Sequence, residues 1–196
     1  MLNRIAVLFV AILLVASLAV AAPIDDVKKT VDEVVRIVAD KEMKKNDQKR
    51  RQALKKTISV IFDYNEMAKR SMGKHWNPRT AAEKKQFSEL FATLLENSYA
   101  GKIESYNNEK IVYIKEILDS DHAEVKSKVI TAKRDEFTLD YRMINQNGKW
   151  MVYDVVIEGV SLVSNYRTQF NKIISTSGYA ELVKKLQNKS DELKAP

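Results

Sequence analysis

The chain has 196 residues, with 33 Lys and Arg against 26 Asp and Glu, a net charge of +7. It has no cysteine, which excludes disulfides, thiolate metal sites, thiol nucleophiles and the lipid anchor that a bacterial lipoprotein carries on its cleavage-site cysteine. A basic surface suits anionic partners such as membrane headgroups, acidic proteins or nucleic acid.

The N-terminus reads as a cleavable secretory leader, residues 1–21. Arg4 supplies the positive start, residues 5–20 are apolar except for Ser17, and Ala19-Val20-Ala21 ends the run with small residues at the positions a signal peptidase reads. The run falls short of the roughly 20 residues a membrane-spanning helix needs. An exported protein rarely meets nucleic acid, so that partner class is set aside. The expectation is a soluble, periplasmic, unlipidated protein whose residues 22–196 form one domain.

Helices come first. Val27, Val31, Val34, Val35 and Val38 recur at helical spacing over residues 24–40. A second helix, residues 47–61, is basic at first and apolar at Leu54, Ile58 and Ile61. The basic run 41–56 has interleaved polar residues and reads as a solvated face. Asp63 with Glu66, and Thr80 with Glu83, have the spacing of N-terminal capping boxes. They predict a short helix over 63–71, closed by Gly73, and a long one from Thr80 carrying Phe87, Leu90, Phe91, Leu94, Leu95 and Tyr99.

The period then changes to two. Residues 110–118, 122–132, 137–146 and 149–157 read as four strands, with Asn147-Gly148 as a two-residue hairpin turn. Helices return over 162–176 and 179–187, with Gly159 as the joint before them and a polar, frayed tail over 189–196. The order predicts an α+β fold: a twisted antiparallel-type sheet of about four strands surrounded by helices. Taking Asn147-Gly148 as the loop puts Met143 opposite Val152 and Tyr141 opposite Asp154. One face then carries Phe137, Leu139, Tyr141, Met143, Trp150, Val152 and Val156. The other carries Ile144, Met151, Tyr153, Val155 and Ile157, with Arg142 among them. Both faces of the last strand are then apolar, so both are expected to be covered, either by helices alone or by an apolar ligand on one side.

Catalytic signals are sparse. His75 and His122 have no partners at zinc-ligand spacing, and no G-x-S-x-G, G-x-G-x-x-G or P-loop pattern occurs. Neither a metal nor a cofactor is predicted. The one acid–base pair to propose is Asp154 with Tyr141, the basis of an alternative reading as a small enzyme with an apolar pocket. A third reading is a periplasmic protein-binding module with an exposed apolar groove.

The segment WMVYDVVIEGVSLVSNYRTQF, residues 150–170, resembles the C-terminal signature of the MlaC, or toluene-tolerance, family of periplasmic phospholipid-binding proteins. FDYNEMAKRSMGKHW (62–76) and FSELFATLLENSY (87–99) agree with that family in order, and the resemblance covers about residues 24–188. It implies an apolar pocket between sheet and helices that holds acyl chains, with the headgroup near its mouth, and no enzymatic activity. The implied partners are phospholipid, an inner-membrane ABC transporter bearing an MCE-domain protein, and an outer-membrane lipoprotein complex. The implied role is lipid traffic that keeps the outer membrane asymmetric. The residues expected to touch lipid are Leu94, Tyr99, Tyr106, Tyr141, Met143, Val152, Val155, Ile157, Val160, Val163 and Tyr166, with Arg142 and Arg167 as headgroup candidates.

Overall fold

The computed structural model describes residues 22–192; the expected leader and residues 193–196 lie outside the described residues. Pro23, with its pre-set φ, starts α1 (Pro23–Ala39). Asp40 stops it and caps a single turn, α2 (Lys41–Lys44), by accepting the backbone N–H of Glu42 and Met43 at 2.7 and 3.0 Å. Asn46 caps α3 (Asp47–Ser59) in the same way.

Asp63 caps α4 (Tyr64–Met72) by accepting from Glu66 N–H at 2.9 Å. The reciprocal half of the expected box is not made. Asp63 N–H donates instead to the carbonyl of Val152 at 2.9 Å, while Val152 N–H donates to Ile61 at 2.7 Å. Those two bonds tie the chain between α3 and α4 to the sheet. Gly73, at φ 54, turns the chain into the 3-10 turn Gly73–His75.

The box at α5 (Ala81–Glu104) is complete. Glu83 N–H donates to Thr80 Oγ1 at 3.2 Å, and Thr80 N–H donates to Glu83 Oε2 at 2.8 Å. Thr80→Ala removes one acceptor from the helix start and is expected to cost about 1 kcal/mol. For a chain of this size that is a fall of about 3 °C in melting temperature, readable by calorimetry.

The strands are β1 (Lys110–Asp119), β2 (His122–Ile130), β3 (Glu136–Gln146), β4 (Lys149–Ile157) and the two-residue β5 (Val160–Ser161), antiparallel and in sequence order across one sheet. Asn147 (φ 55) and Gly148 (φ 85) make the predicted two-residue turn. Glu158 (φ 50) and Gly159 (φ 76) make a second one, so Gly159 closes a β4–β5 hairpin and is not the strand-to-helix joint expected. β5 was not predicted because two residues have no period. α6 (Leu162–Glu192) is broken at Gly178 (φ 81) near the expected gap, and it runs on into the tail expected to fray.

The register past the hairpin departs from expectation. Met143 lies opposite Val152, but Arg142 lies opposite Asp154 and Tyr141 opposite Val155. Tyr153 is therefore the extra residue of a β-bulge, and from that point the two faces of β4 are exchanged relative to strict alternation. Val155 and Ile157 join Leu139, Tyr141 and Met143 on the inner face. Asp154 and Val156 turn outward, where α6 packs along β4.

The expected cover on both faces holds at β4, where α6 packs, but the outer face across β2 and β3 is polar. Lys126 lies 3.4 Å from both Glu124 and Asp140, and Arg142 lies 3.8 Å from Glu124 and 3.3 Å from Asp154. The core accordingly sits in three places, the smallest being Ile37, Val38 and Leu54 between α1 and α3. Met67, Phe87, Phe91, Phe170 and Leu182 fill the space among α4, α5 and α6. Val27, Ile61, Val125, Met143 and Val152 fill one end of the space between α1 and the inner face.

Candidate functional site

The rest of the space between α1 and the inner face is not filled. α1, α3, α5 and the sheet enclose a cavity of about 830 Å³. Val27, Val31, Val34 and Val35 of α1 form one wall, the same stripe that marks the helix in the sequence. Leu54 and Ile58 of α3 and Leu95, Tyr99 and Ile103 of α5 close the sides. Leu139, Tyr141, Val152, Val155 and Ile157 form the floor, the last two because of the bulge at Tyr153. Protein interiors pack as densely as organic crystals, and a void of this size forfeits dispersion contacts along its whole lining. A void of this size and lining is a candidate ligand site.

Tyr64, Tyr99, Tyr106 and Tyr141 are its hydroxyl-bearing aromatic residues. Burial pushes all four phenols above their ordinary pKa, so these hydroxyls stay uncharged at physiological pH. Of the wall residues, Arg51, Gln52, Lys55, Lys102 and Ser105 are the exposed ones. All five come from α3 or the end of α5, so the slot between these elements is where the cavity meets water.

Of the residues expected from sequence, Tyr99, Tyr106, Tyr141, Val152, Val155 and Ile157 line the cavity. Five do not. Leu94 is one position off on α5, which turns it into the core shared with α6, and Val163 and Tyr166 pack there too. The Tyr166 ring stands 5.2 Å from that of Phe91 at 83°. Met143 is fully enclosed in the sheet core, and Val160 is 58% exposed on β5.

Neither arginine reaches the mouth. Arg142 is on the outer face, and Arg167 Nε donates to the carbonyl of Arg70 at 2.7 Å, its side chain passing over Gly73. The charged wall residues Arg51, Lys55, Glu96, Lys102 and Glu109 were missed, of which the α3 pair left a trace in the sequence. That trace is Arg51 and Lys55 bracketing Leu54, with Ile58 next on that helix face.

Asp154 does not pair with Tyr141, because the bulge sends them to opposite faces. It is 3% exposed and accepts from Ser161 Oγ at 2.6 Å, from Val163 N–H at 3.0 Å and from Arg142 Nη1 at 3.3 Å. Those bonds fasten the start of α6 to β4. Among the described residues no helix is long and apolar enough to cross a membrane.

The MlaC protein family model matches residues 28–188. The intermembrane phospholipid transport system binding protein MlaC of Haemophilus influenzae is 28% identical over 126 residues, 62% of this chain and 59% of that protein. The chain thus spans 59% of the length of that relative. Toluene tolerance protein ttg2D of Pseudomonas putida is 26% identical over 166 residues, 83% of this chain and 77% of that one. A phospholipid-binding protein from Ralstonia solanacearum, solved in complex with a phospholipid, superposes with a TM-score of 0.80 at 29% identity, covering 89% of this chain and all of the other.

Proposed function

This chain belongs to the MlaC family, and from that premise we propose that it is a soluble periplasmic carrier that ferries one phospholipid at a time with its acyl chains in the cavity. The observation that carries the reading is the largely apolar cavity of about 830 Å³ between α1, α3, α5 and the sheet. At about 30 Å³ per water-sized group, it has room for about 28 methylenes, the content of two acyl chains. The leader over residues 1–21 supports export, and the absence of cysteine supports an unanchored protein.

The energetics set the mechanism. Each methylene moved from water to an apolar site gains about 0.8 kcal/mol, so a two-chain lipid faces a barrier of roughly 20 kcal/mol to entering water alone. The cavity removes that barrier by matching the bilayer interior. A close match is also what release requires, because a strong preference for either side would stall transfer. The carrier passes lipid between an outer-membrane lipoprotein complex and an inner-membrane ABC transporter with an MCE-domain protein, in service of outer-membrane asymmetry. No bond is made or broken, and Asp154 serves the fold.

Mature protein purified without detergent and extracted with organic solvent is expected to yield about one two-chain phospholipid per protein by mass spectrometry. Lipid-free protein that also takes none from vesicles would overturn the reading.

A further inference from the structure

The charges in this otherwise apolar wall are not scattered. Arg51 and Lys55 stand one turn apart on α3 and face α5 across the slot. Arg51 Nε lies 3.0 Å from Glu104 Oε1, and Lys55 Nζ lies 2.9 Å from Glu96 Oε2. The cations are the outer members, with side chains 59% and 62% exposed. The carboxylates are the inner ones, at 13% and 16%. Lys102 has no carboxylate within 4.0 Å among the described residues, and its Nζ stands 5.5 Å from the Tyr99 ring centroid.

We propose that this slot is a headgroup site selective for a zwitterionic phospholipid bearing a phosphate diester and a primary ammonium, with Glu96 as the residue that selects. The inference rests on the carrier reading. A phosphate arriving at the mouth meets Arg51, Lys55 and Lys102, and a guanidinium matches phosphate oxygens in pairs. Each cation that turns to the phosphate leaves its carboxylate behind.

Glu104 keeps a partner, since Arg50 Nη2 lies 3.6 Å away. Glu96 has no second ion-pair partner among the described residues. It is then a largely enclosed carboxylate in an apolar wall, an arrangement that is costly unless another cation arrives. A headgroup ammonium supplies that cation. A phosphoglycerol headgroup brings hydroxyls and no cation, so it leaves Glu96 stranded. Discrimination arises from the unpaired charge left by the wrong ligand.

The test offers lipid-stripped protein vesicles of equimolar phosphatidylethanolamine and phosphatidylglycerol with identical acyl chains, and counts the bound species by mass spectrometry. The parent is expected to favour phosphatidylethanolamine about fivefold. Glu96→Gln is expected to bring the ratio near one. Lys55→Met is expected to raise it, because Glu96 then lacks its internal partner. A parent ratio that mirrors the vesicle, or a ratio that Glu96→Gln leaves unmoved, overturns the headgroup site while leaving the carrier intact. Parent protein that takes neither lipid overturns both.

Discussion

Val155→Trp is expected to lower phospholipid retention on the purified protein by on the order of a hundredfold while leaving the protein folded. Val155 is 8% exposed and sits in the cavity floor opposite Tyr141. An indole there projects into empty space, so it avoids the strain that overpacking brings to a filled core. It occupies the volume of three or four ligand methylenes. At about 0.8 kcal/mol each, their displacement costs about 3 kcal/mol, or about a hundredfold in affinity. Lipid phosphorus per protein, read beside the melting temperature, checks this. Val160→Trp, at the exposed β5, serves as the control and is expected to load normally. A folded Val155→Trp protein with a full lipid load would place the acyl chains outside this cavity.

Asp154→Ala is expected to be the most damaging of the polar substitutions, at about 3 kcal/mol, because it leaves the partners of a buried carboxylate unsatisfied. It strips the acceptor from Ser161 Oγ and from Val163 N–H at the start of α6, and it removes one ion partner of Arg142. The expected fall in melting temperature is about 9 °C for a chain of this length. Below that temperature the variant should still carry lipid, since Asp154 faces away from the cavity. Loss of lipid loading in a variant with parental stability would contradict the placement of Asp154 as a strut.

Features whose chemistry is local were legible. Thr80 and Glu83 carry both halves of a helix cap within four residues, and Asn147-Gly148 sets its own turn through positive φ at both positions. The valines of α1 announce an apolar stripe at helical spacing. Asp63 was half legible: its carboxylate caps α4 as the spacing implies, but its N–H is claimed by Val152 on a distant strand. The candidate list divided along the same line. Tyr99 and Leu94 are both apolar positions of one helix, and nothing in their spacing says which side meets a void and which meets Phe91.

The sequence by itself determined the order of the long helices and of the four long strands, and the family. All of these are set by short-range periodicity or by a contiguous motif. Only the tertiary structure decided which apolar residues face the cavity and which side chains guard it. The bulge at Tyr153 is the plainest case. One extra residue reverses the faces of β4, brings Val155 and Ile157 to the cavity, and turns Asp154 outward to hold α6. A strand's period of two carries no mark of where an extra residue falls, because that choice is made by packing against partners far away in the chain. The slot is the other case: Lys55 and Glu96 lie on separate helices, and their pairing exists only once α3 and α5 have been laid across the same cavity.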